Sequence, residues 1–418
     1  MRKNDSKYPL KELGELLREN PQYGANERAI EGNPETDLRY VRITDINKFG
    51  NLNDDDWKTA EHTDKKYLLE ENDILFARSG ATAGKCYLHK NENGKAIYAG
   101  YLIRFRLDTT KANPRYIFYY TQTERYGRWV KSIQRPSGQP NINSQEFKSL
   151  RIPVPPLETQ NRIVEMMDKA YLEKKANEKE AEKQLLSLDT YLFETLGIII
   201  PESNNKNIYL VNSSTVERRL DPEAYHPERQ TVVKLIQQMD NHLLNELVSF
   251  RRTLVSSRDD NLPYVGLENI ESGTGFYSPS EEAVTQFNCA FQFHKGDILF
   301  PKLRPYLNKV FYATFDGYCS TEFHVLKATR INPKFLVAVL KSKLTLAQTC
   351  HLMTGNTLPR LQTEDIEELP IPTPDNKVQE QIAIKNDKVT ENVLALRAEA
   401  ISCLEEAKGK IEMIILGN

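Results

Sequence analysis

Residues 150–163 read LRIPVPPLETQNRI, and residues 369–382 read LPIPTPDNKVQEQI. Each opens as a short apolar run, is stopped by prolines, and then gives way to a polar stretch with helical character. Proline has no N–H and restricts φ at itself and at the residue before it, so neither strand nor helix continues through IPVPP or IPTP. Asn113-Pro114 and Asn332-Pro333 are separated by the same offset as these two stretches. Earlier in the chain YVRITDI, from Tyr40, returns as YVGLENI, from Tyr264. NDILF, from Asn72, returns as GDILF, from Gly296, at the same offset as that pair, which is slightly the larger of the two. Four matching segments in one order at nearly constant offset make a tandem duplication, its period far beyond that of solenoid repeats.

Each copy follows one plan. Short β-branched and aromatic runs (ILFAR, KCYLH, YLIRFRL, KVFYATF) between Gly and Asn turns read as strands. A helical segment follows each Asn-Pro, and the proline stop ends the globular part. Residues 157–196 and 376–408 then contain neither Pro nor Gly. At ~1.5 Å per residue each predicts a helix of about 50–60 Å, long enough to suggest a coiled coil.

In the second, Ile382, Val389, Val393, Leu396, Ala400, Cys403 and Ala407 recur at three- and four-residue steps. In the first, Ile163, Met167, Ala170, Ala181, Leu188 and Tyr191 do so, interrupted by Lys174, Asn177 and Gln184. Neither stripe can be buried alone, and the other copy's helix is the nearest partner. Antiparallel pairing would set the globular parts at opposite ends with pseudo-twofold symmetry; parallel pairing would set them at one end. The charged run EKKANEKEAEK (residues 173–183) offers opposite charges three apart, Lys175/Glu178, Lys179/Glu182 and Glu180/Lys183, as on a solvated helix face.

Length and composition bound the rest. A chain of 418 residues predicts two or three domains. No apolar run reaches the roughly 18 residues of a membrane span, and MRKNDSKYPLKELGE has no apolar signal core, so a cytoplasmic protein without membrane contact is expected. Five scattered cysteines form no C-x-x-C pair, and the seven histidines form no H-E-x-x-H. Neither a metal nor a cofactor is expected. Formal net charge is −2, so any nucleic-acid site must rest on local clusters.

FARSGATAGKC (residues 76–86) comes near a phosphate-binding P-loop. However, the interval between Gly80 and Gly84 is one residue short, and Cys86 supplies a thiol where magnesium wants oxygen. The second copy has FPKLRPYLNKV in its place. There the glycines find no counterpart, whereas Arg78 faces Lys302 and Lys85 faces Lys309. Two cations seven apart around a turn between strands fit a DNA-facing loop whose interior was free to diverge.

Two diverged heads on a stiff spacer suit two half-sites on a linear polymer, and duplex DNA presents equivalent grooves ~34–36 Å apart. The paired [IL]P-x-P stops with their ETQ/QEQ-I helices, the NDILF/GDILF turn and RLDPEAYHP (residues 219–227) together resemble the DNA specificity subunit of type I restriction–modification systems, over essentially the whole chain. The resemblance implies an α+β fold: two similar α/β target-recognition domains separated by two long antiparallel helices in a coiled coil. The domains would be residues 1–156 and 198–374, with helices at 157–197 and 375–418. It implies a non-catalytic subunit in which each domain reads half of a bipartite duplex target. The helices would set the spacing and dock two methyltransferase (modification) subunits, with restriction–motor subunits as further partners.

DNA readers divide into phosphate anchors and base readers. Arg pairs bidentately with guanine, and Asn or Gln with adenine. The first head offers Arg78, Ser79, Thr82 and Lys85, then Arg135, Ser137, Gln139 and Asn141, with Arg42 and Asn47 flanking the first repeated strand. The second offers Lys302, Arg304, Tyr306, Asn308 and Lys309, then Thr354, Asn356 and Arg360. A polar surface turn would carry the same residue types, most plainly in GQPNIN and TGNTLPR. Gln160, Ile163, Gln379 and Ile382, equivalent in the two helices, either dock a partner or lock the helices.

His226 reads as a pre-proline residue rather than a catalyst, and Asp54-Asp55-Asp56 as a solvated loop. An adenine methyltransferase would need a glycine-rich cofactor turn and Asn-Pro-Pro-aromatic, and the chain has Asn-Pro only as NPQ, NPE, NPR and NPK. No nuclease carboxylate–Lys set recurs in both copies. The competing reading is a coiled-coil scaffold with two adaptor domains and no DNA.

Overall fold

ILFA at Ile74–Ala77 and ILFP at Ile298–Pro301 are buried along their whole length. They lack alternation because both faces of the strand are covered. Each sits third in a four-stranded antiparallel sheet of the same order. In the first head the order is Gln22–Tyr23, Leu102–Phe105, Ile74–Ala77, Cys86–Leu88; in the second it is Val248–Arg251, Phe323–Ala328, Ile298–Pro301, Phe311–Tyr312.

The computed structural model describes residues 6–53, 55–133, 140–200, 209–211, 216, 219–256, 262–280, 287, 289–355 and 357–416. It comprises two units, Met1–Glu178 with Ala398–Asn418, and Lys179–Arg397.

The two repeated Asn-Pro pairs, Asn113-Pro114 and Asn332-Pro333, start helices. Proline takes the first turn, where its missing N–H costs nothing, and the asparagine caps. Asn113 Oδ1 accepts from Arg115 N at 2.9 Å, opening Pro114–Tyr120. Asn332 Oδ1 accepts from Lys334 N at 3.0 Å, opening Pro333–Lys341. Each proline stop contains a last short strand: Arg151–Pro153 pairs with Leu10–Glu12, and Pro370–Pro372 pairs with Asn241–Leu243. A two-stranded ladder tolerates proline because its outer edge needs no N–H.

The long helices run Leu157–Leu196 and Asn376–Leu416, and each contributes to both units. In the first unit Ile163, Met167 and Ala170 share a core with Phe76, Phe105 and Phe147, and also with Leu404, Ala407, Ile411 and Ile415 from the end of the second helix. In the second unit Leu192 joins Ile298, Phe300, Leu326 and Phe335, together with Ile382. Within each unit the helix segments run antiparallel. Cys403 Sγ lies 3.6 Å from Ala170 O, while Ala181 packs with Val389 and Val393, and Gln381 Nε2 donates to Tyr191 Oη at 2.9 Å. Lys174, on the buried stripe, lays its ammonium 4.4 Å from the centroid of the Phe49 ring and pairs with Glu178 at 2.6 Å. Glu178 therefore takes Lys174 rather than Lys175. Among the described residues, no helix is long and apolar enough to cross a membrane.

One glutamine fixes each helix to its head. Gln160 Oε1 accepts from Asn113 N at 2.7 Å, and its Nε2 donates to Pro155 O at 2.8 Å. Gln379 repeats the clamp on Asn332 N at 3.0 Å and Pro374 O at 2.8 Å. Gln160, Ile163, Gln379 and Ile382 are all at most 5% exposed. Of the two readings, docking a partner or locking the helices, their burial fits the second: the glutamines join helix to head, while Ile163 and Ile382 pack in cores that also hold Leu404 and Leu192 of the other long helix.

Ile411→Ala removes a fully buried side chain and should cost about 2–5 kcal/mol, although the residue belongs to the second copy. Hydrogen exchange should show protection lost in Ile74–Ala77 and Leu102–Phe105 and retained in Ile298–Pro301. His324 lies inside the second sheet, where burial first, and the charges of Lys302 and Arg252 after it, push its pKa from 6.5 down to about 3. Below pH 6.5 the unfolded chain takes up a proton that the folded imidazole refuses, so stability falls as pH drops from about 6.5 toward 3. The loss should reach ~2 kcal/mol at pH 5. The residue at the matching sheet position of the first head is Ile103; His324→Ile should flatten the melting temperature of the second unit between pH 7 and pH 5.

Candidate nucleic-acid interface

Beyond each central strand the chain turns through a tight loop, and in both heads the same backbone frame holds it. In the first head Arg78 N donates to Tyr101 O at 3.0 Å, Gly80 N to Pro140 O at 2.9 Å, and Ile142 N to Arg78 O at 2.8 Å. In the second, Lys302 N donates to Glu322 O at 2.7 Å, Arg304 N to Pro359 O at 2.9 Å, and Leu361 N to Lys302 O at 2.9 Å. Isolated bridges Ser79↔Asn141 and Leu303↔Arg360 complete the match. The loop and the segment before the proline stop, two separate stretches in the sequence, thus form one site per head.

The frame also preserves backbone conformation where residue type changed. Gly80 and Gly84 have φ of +69° and +89°, and Arg304 and Asn308 at the matching positions both have φ of +50°. The glycines do have counterparts, then: left-handed backbone adopted by residues for which it is strained. A 3₁₀ turn lies at each pair: Gly80–Thr82 begins on its first glycine, and Pro305–Leu307 lies between Arg304 and Asn308. The two φ > 0 positions explain the P-loop-like glycines without a phosphate.

Side chains at the site divide into those held inside and those presented outward. Lys85 Nζ donates to Ile46 O at 3.0 Å, and Lys309 Nζ to Leu267 O at 2.8 Å. These two cations, kept in both copies, are clamps between the loop and the turn after the YVRITDI or YVGLENI strand. Lys302 lies over the Phe291 ring and donates to Thr321 O at 2.8 Å; burial lowers its pKa, opposed by Glu322. Asn308 is buried and donates from Nδ2 to Lys341 O at 2.6 Å. Arg42 is engaged by Asp45 at 2.6 Å and Asp56 at 3.0 Å, and the Asp45 hydrogen bond leads in raising its pKa. Asn47 Oδ1 accepts from Phe49 N at 2.9 Å and Asn51 N at 3.1 Å, closing a turn. Lys85, Lys309, Lys302, Arg42 and Asn47 thus spend polar groups inside the chain rather than outward, as the DNA-contact expectation had placed them, while Asn308 engages Nδ2 and leaves a buried Oδ1 without a partner among the described residues. Ser79 O accepts from Thr82 Oγ1 at 3.0 Å within the 3₁₀ turn.

Presented outward are Arg78, Asn141, Arg304, Tyr306, Thr354 and Arg360. Arg78 Nε donates to Asn141 Oδ1 at 3.2 Å, with its guanidinium 5.0 Å from the Tyr23 ring centroid. Arg360 Nε and Nη2 donate to Glu322 Oε2 and Oε1 at 3.0 and 2.9 Å, and Glu322 raises the Arg360 pKa. Thr354 Oγ1 accepts from Gln362 Nε2 at 2.7 Å. Arg135, Ser137, Gln139 and Asn356 lie outside the described residues.

Tyr101, 60% exposed, and Glu322 occupy the same place in the frame, and sequence reasoning missed both. Their spacing falls between the two offsets that revealed the duplication, and their types differ. Aligning LIRF with FHVL would have found them.

One group invites a metal reading. His226, Glu228 and His351 bring ligand atoms within 4.8 Å of one another. The two imidazoles, however, are stacked at 3.8 Å and 10°. Their lone pairs lie in parallel planes, and one ion cannot lie in both. His226 Nδ1 instead accepts from Glu228 N at 3.3 Å, capping Pro227–Gln237, and His351 lies 3.2 Å from Glu223 and 3.3 Å from Glu228. The group ties a helix start to the chain after Lys343–Thr349.

The chain is 31% identical over 126 residues to the specificity subunit of the type I restriction enzyme EcoDI from Escherichia coli, covering 29% of this chain and 28% of that protein. It is 23% identical over 379 residues to the MjaVIII specificity subunit from Methanocaldococcus jannaschii, covering 86% and 81%. Among solved structures, the S subunit of a type I restriction–modification system from M. genitalium aligns over 99% of this chain and 98% of that one, at 14% identity and a TM-score of 0.49. The sequence pattern of the type I restriction modification DNA specificity domain matches residues 4–187 and 249–406, one stretch in each copy. That pattern accounts for most of the chain, which belongs to the family of type I restriction–modification DNA specificity proteins.

Proposed function

We propose that this chain is the address of a type I restriction–modification complex. Residues 1–156 and 198–374 each read one half of a bipartite duplex target, and the long helices fix the number of base pairs between the halves. The observation that carries the reading is the backbone frame repeated at each loop, with identical hydrogen-bond connectivity but different outward side chains. A scaffold kept constant while its exposed chemistry changes is what two readers of different sequences require. Arg78, Asn141, Arg304, Tyr306, Thr354 and Arg360 are the contacts on this reading.

Methylation and cleavage belong to partner subunits. The methyltransferase subunits would dock on the helices through apolar side chains left exposed: Leu172, Ile401 and Met413 in the first unit, and Leu186, Ile384 and Leu394 in the second. Exposed apolar positions on otherwise polar helices mark interaction surfaces when they fall together.

Duplex binding by the chain with its methyltransferase partners should fall with salt at about 0.9 log units per log unit for each phosphate neutralised; a flat response would remove DNA from the account. Seven residues inserted into Leu157–Leu196, matched by seven in Asn376–Leu416, should lengthen the gap in the mapped methylation motif by roughly three base pairs, since ~10 Å of helix is added against ~3.4 Å per pair. Both half-site sequences should stay as they were.

A further inference from the structure

In each loop frame one arginine is held by its inner edge. A guanidinium has five N–H donors in a rigid plane. In Arg360 the Nε–H and one Nη2–H go to the two oxygens of Glu322, at 3.0 and 2.9 Å. In Arg78 the Nε–H goes to Asn141 Oδ1 at 3.2 Å, with the Tyr23 ring beneath the plane. Among the described residues neither arginine has a further hydrogen-bond partner, so the outer Nη1/Nη2 edge of each is free and its direction is fixed.

The arginine also changes sides between heads. In the first it comes from the loop (Arg78) and its holder from the segment before the proline stop (Asn141). In the second the segment before the stop supplies the arginine (Arg360), Lys302 takes the loop position, and the holder is Glu322, where the first head has Tyr101.

Building on the DNA reading above, we infer that each loop frame presents one pre-oriented guanidinium edge to a guanine, one in each half-site, and that Glu322 and Asn141 are the positioning residues that set that edge. The free Nη pair matches the O6 and N7 acceptors of guanine in the major groove. Two phosphate oxygens offer similar chemistry. The exchange of sides decides for the base: a phosphate anchor meets the same backbone in every target and has no reason to move, whereas a base reader moves with the sequence read. A carboxylate beside the contact also suits a base edge better than a phosphate, which it would repel. A left-handed Arg304 within the second frame, φ +50°, places strained backbone at the same point, as functional loops often do.

The test uses the complex of this chain with its methyltransferase subunits. The methylated motif is mapped in a host carrying the complex, and duplexes are then made with 7-deazaguanine, which lacks the N7 acceptor, at each guanine in turn. One guanine per half-site should show binding weakened by about 5- to 150-fold, the range of a bidentate pair. Arg360→Ala should abolish that penalty in one half only, and Arg78→Ala in the other. Glu322→Ala should reduce it in the same half as Arg360→Ala, with the melting temperature and the other half unchanged.

A half-site without any G·C pair would overturn the inference, and so would guanines all indifferent to 7-deaza substitution. Arg360→Ala weakening every duplex alike while the penalties persist would assign the arginine to phosphate and overturn it too. The wild-type arms need no variant to fold. Absence of any bipartite methylation from the wild-type complex would instead sink the proposed function beneath it.

Discussion

A long helix with an apolar stripe cannot bury that stripe within its own turn of chain, and in this protein neither copy of the duplication can bury it for itself. The first head's core is closed by Leu404, Ala407, Ile411 and Ile415, which come from the far end of the sequence. The second head's core takes Leu192 from the helix of the first copy. The duplication therefore does not produce two independent domains in tandem. Each copy supplies the last wall of the other, and each fully buried aliphatic side chain in that wall contributes roughly 1.5–3 kcal/mol. Long-range closure of this kind also slows folding, because the chain ends must meet before either core is complete.

Given that closure, the glutamine clamps make the heads rigid attachments. Gln160 and Gln379 satisfy the amide of a helix-capping asparagine and a carbonyl of the proline stop at once. Removing either side chain would leave two buried polar groups unmatched, at about 1–3 kcal/mol each. A rigid head matters because a reader of base edges must be positioned to a fraction of an ångström. The loop frames apply the same logic one level down. Backbone hydrogen bonds and two lysine–carbonyl clamps hold the loop, so its outward residues can change without the loop being lost.

The large features of this arrangement are legible in the sequence because they rest on local chemistry. Proline stops, Asn-Pro caps, buried ILF strands and helices free of Pro and Gly follow from rules spanning a few residues, and the duplication states each of them twice. What escaped is what depends on partners distant in the chain. Lys85 and Lys309 look like phosphate anchors until their carbonyl partners 39 and 42 residues away are known. Lys174 looks like a break in the apolar stripe, yet Phe49 and Glu178 accommodate it. Gln160 and Gln379 recur at matching positions, and recurrence cannot distinguish a surface from a lock. The glycine loop misled for a different reason: comparing residue types hid a shared backbone conformation that Arg304 and Asn308 adopt at some strain.

With a net charge of −2 and most loop cations engaged internally, the chain has little general attraction for a polyanion, the term that dominates non-specific binding. On the DNA reading each head alone makes few contacts and binds weakly. Two weak readers in one chain behave differently, because once the first is engaged the second acts at a high effective concentration. Overall affinity can then exceed either head's by about 10²–10⁴. A duplex carrying one correct half forfeits that whole factor, so low intrinsic affinity per head becomes the source of discrimination. The gain depends on the spacing being narrow, which a flexible linker would blur. On that reading the absence of Pro and Gly through residues 157–196 would be part of the recognition chemistry, as much as any side chain at the loops.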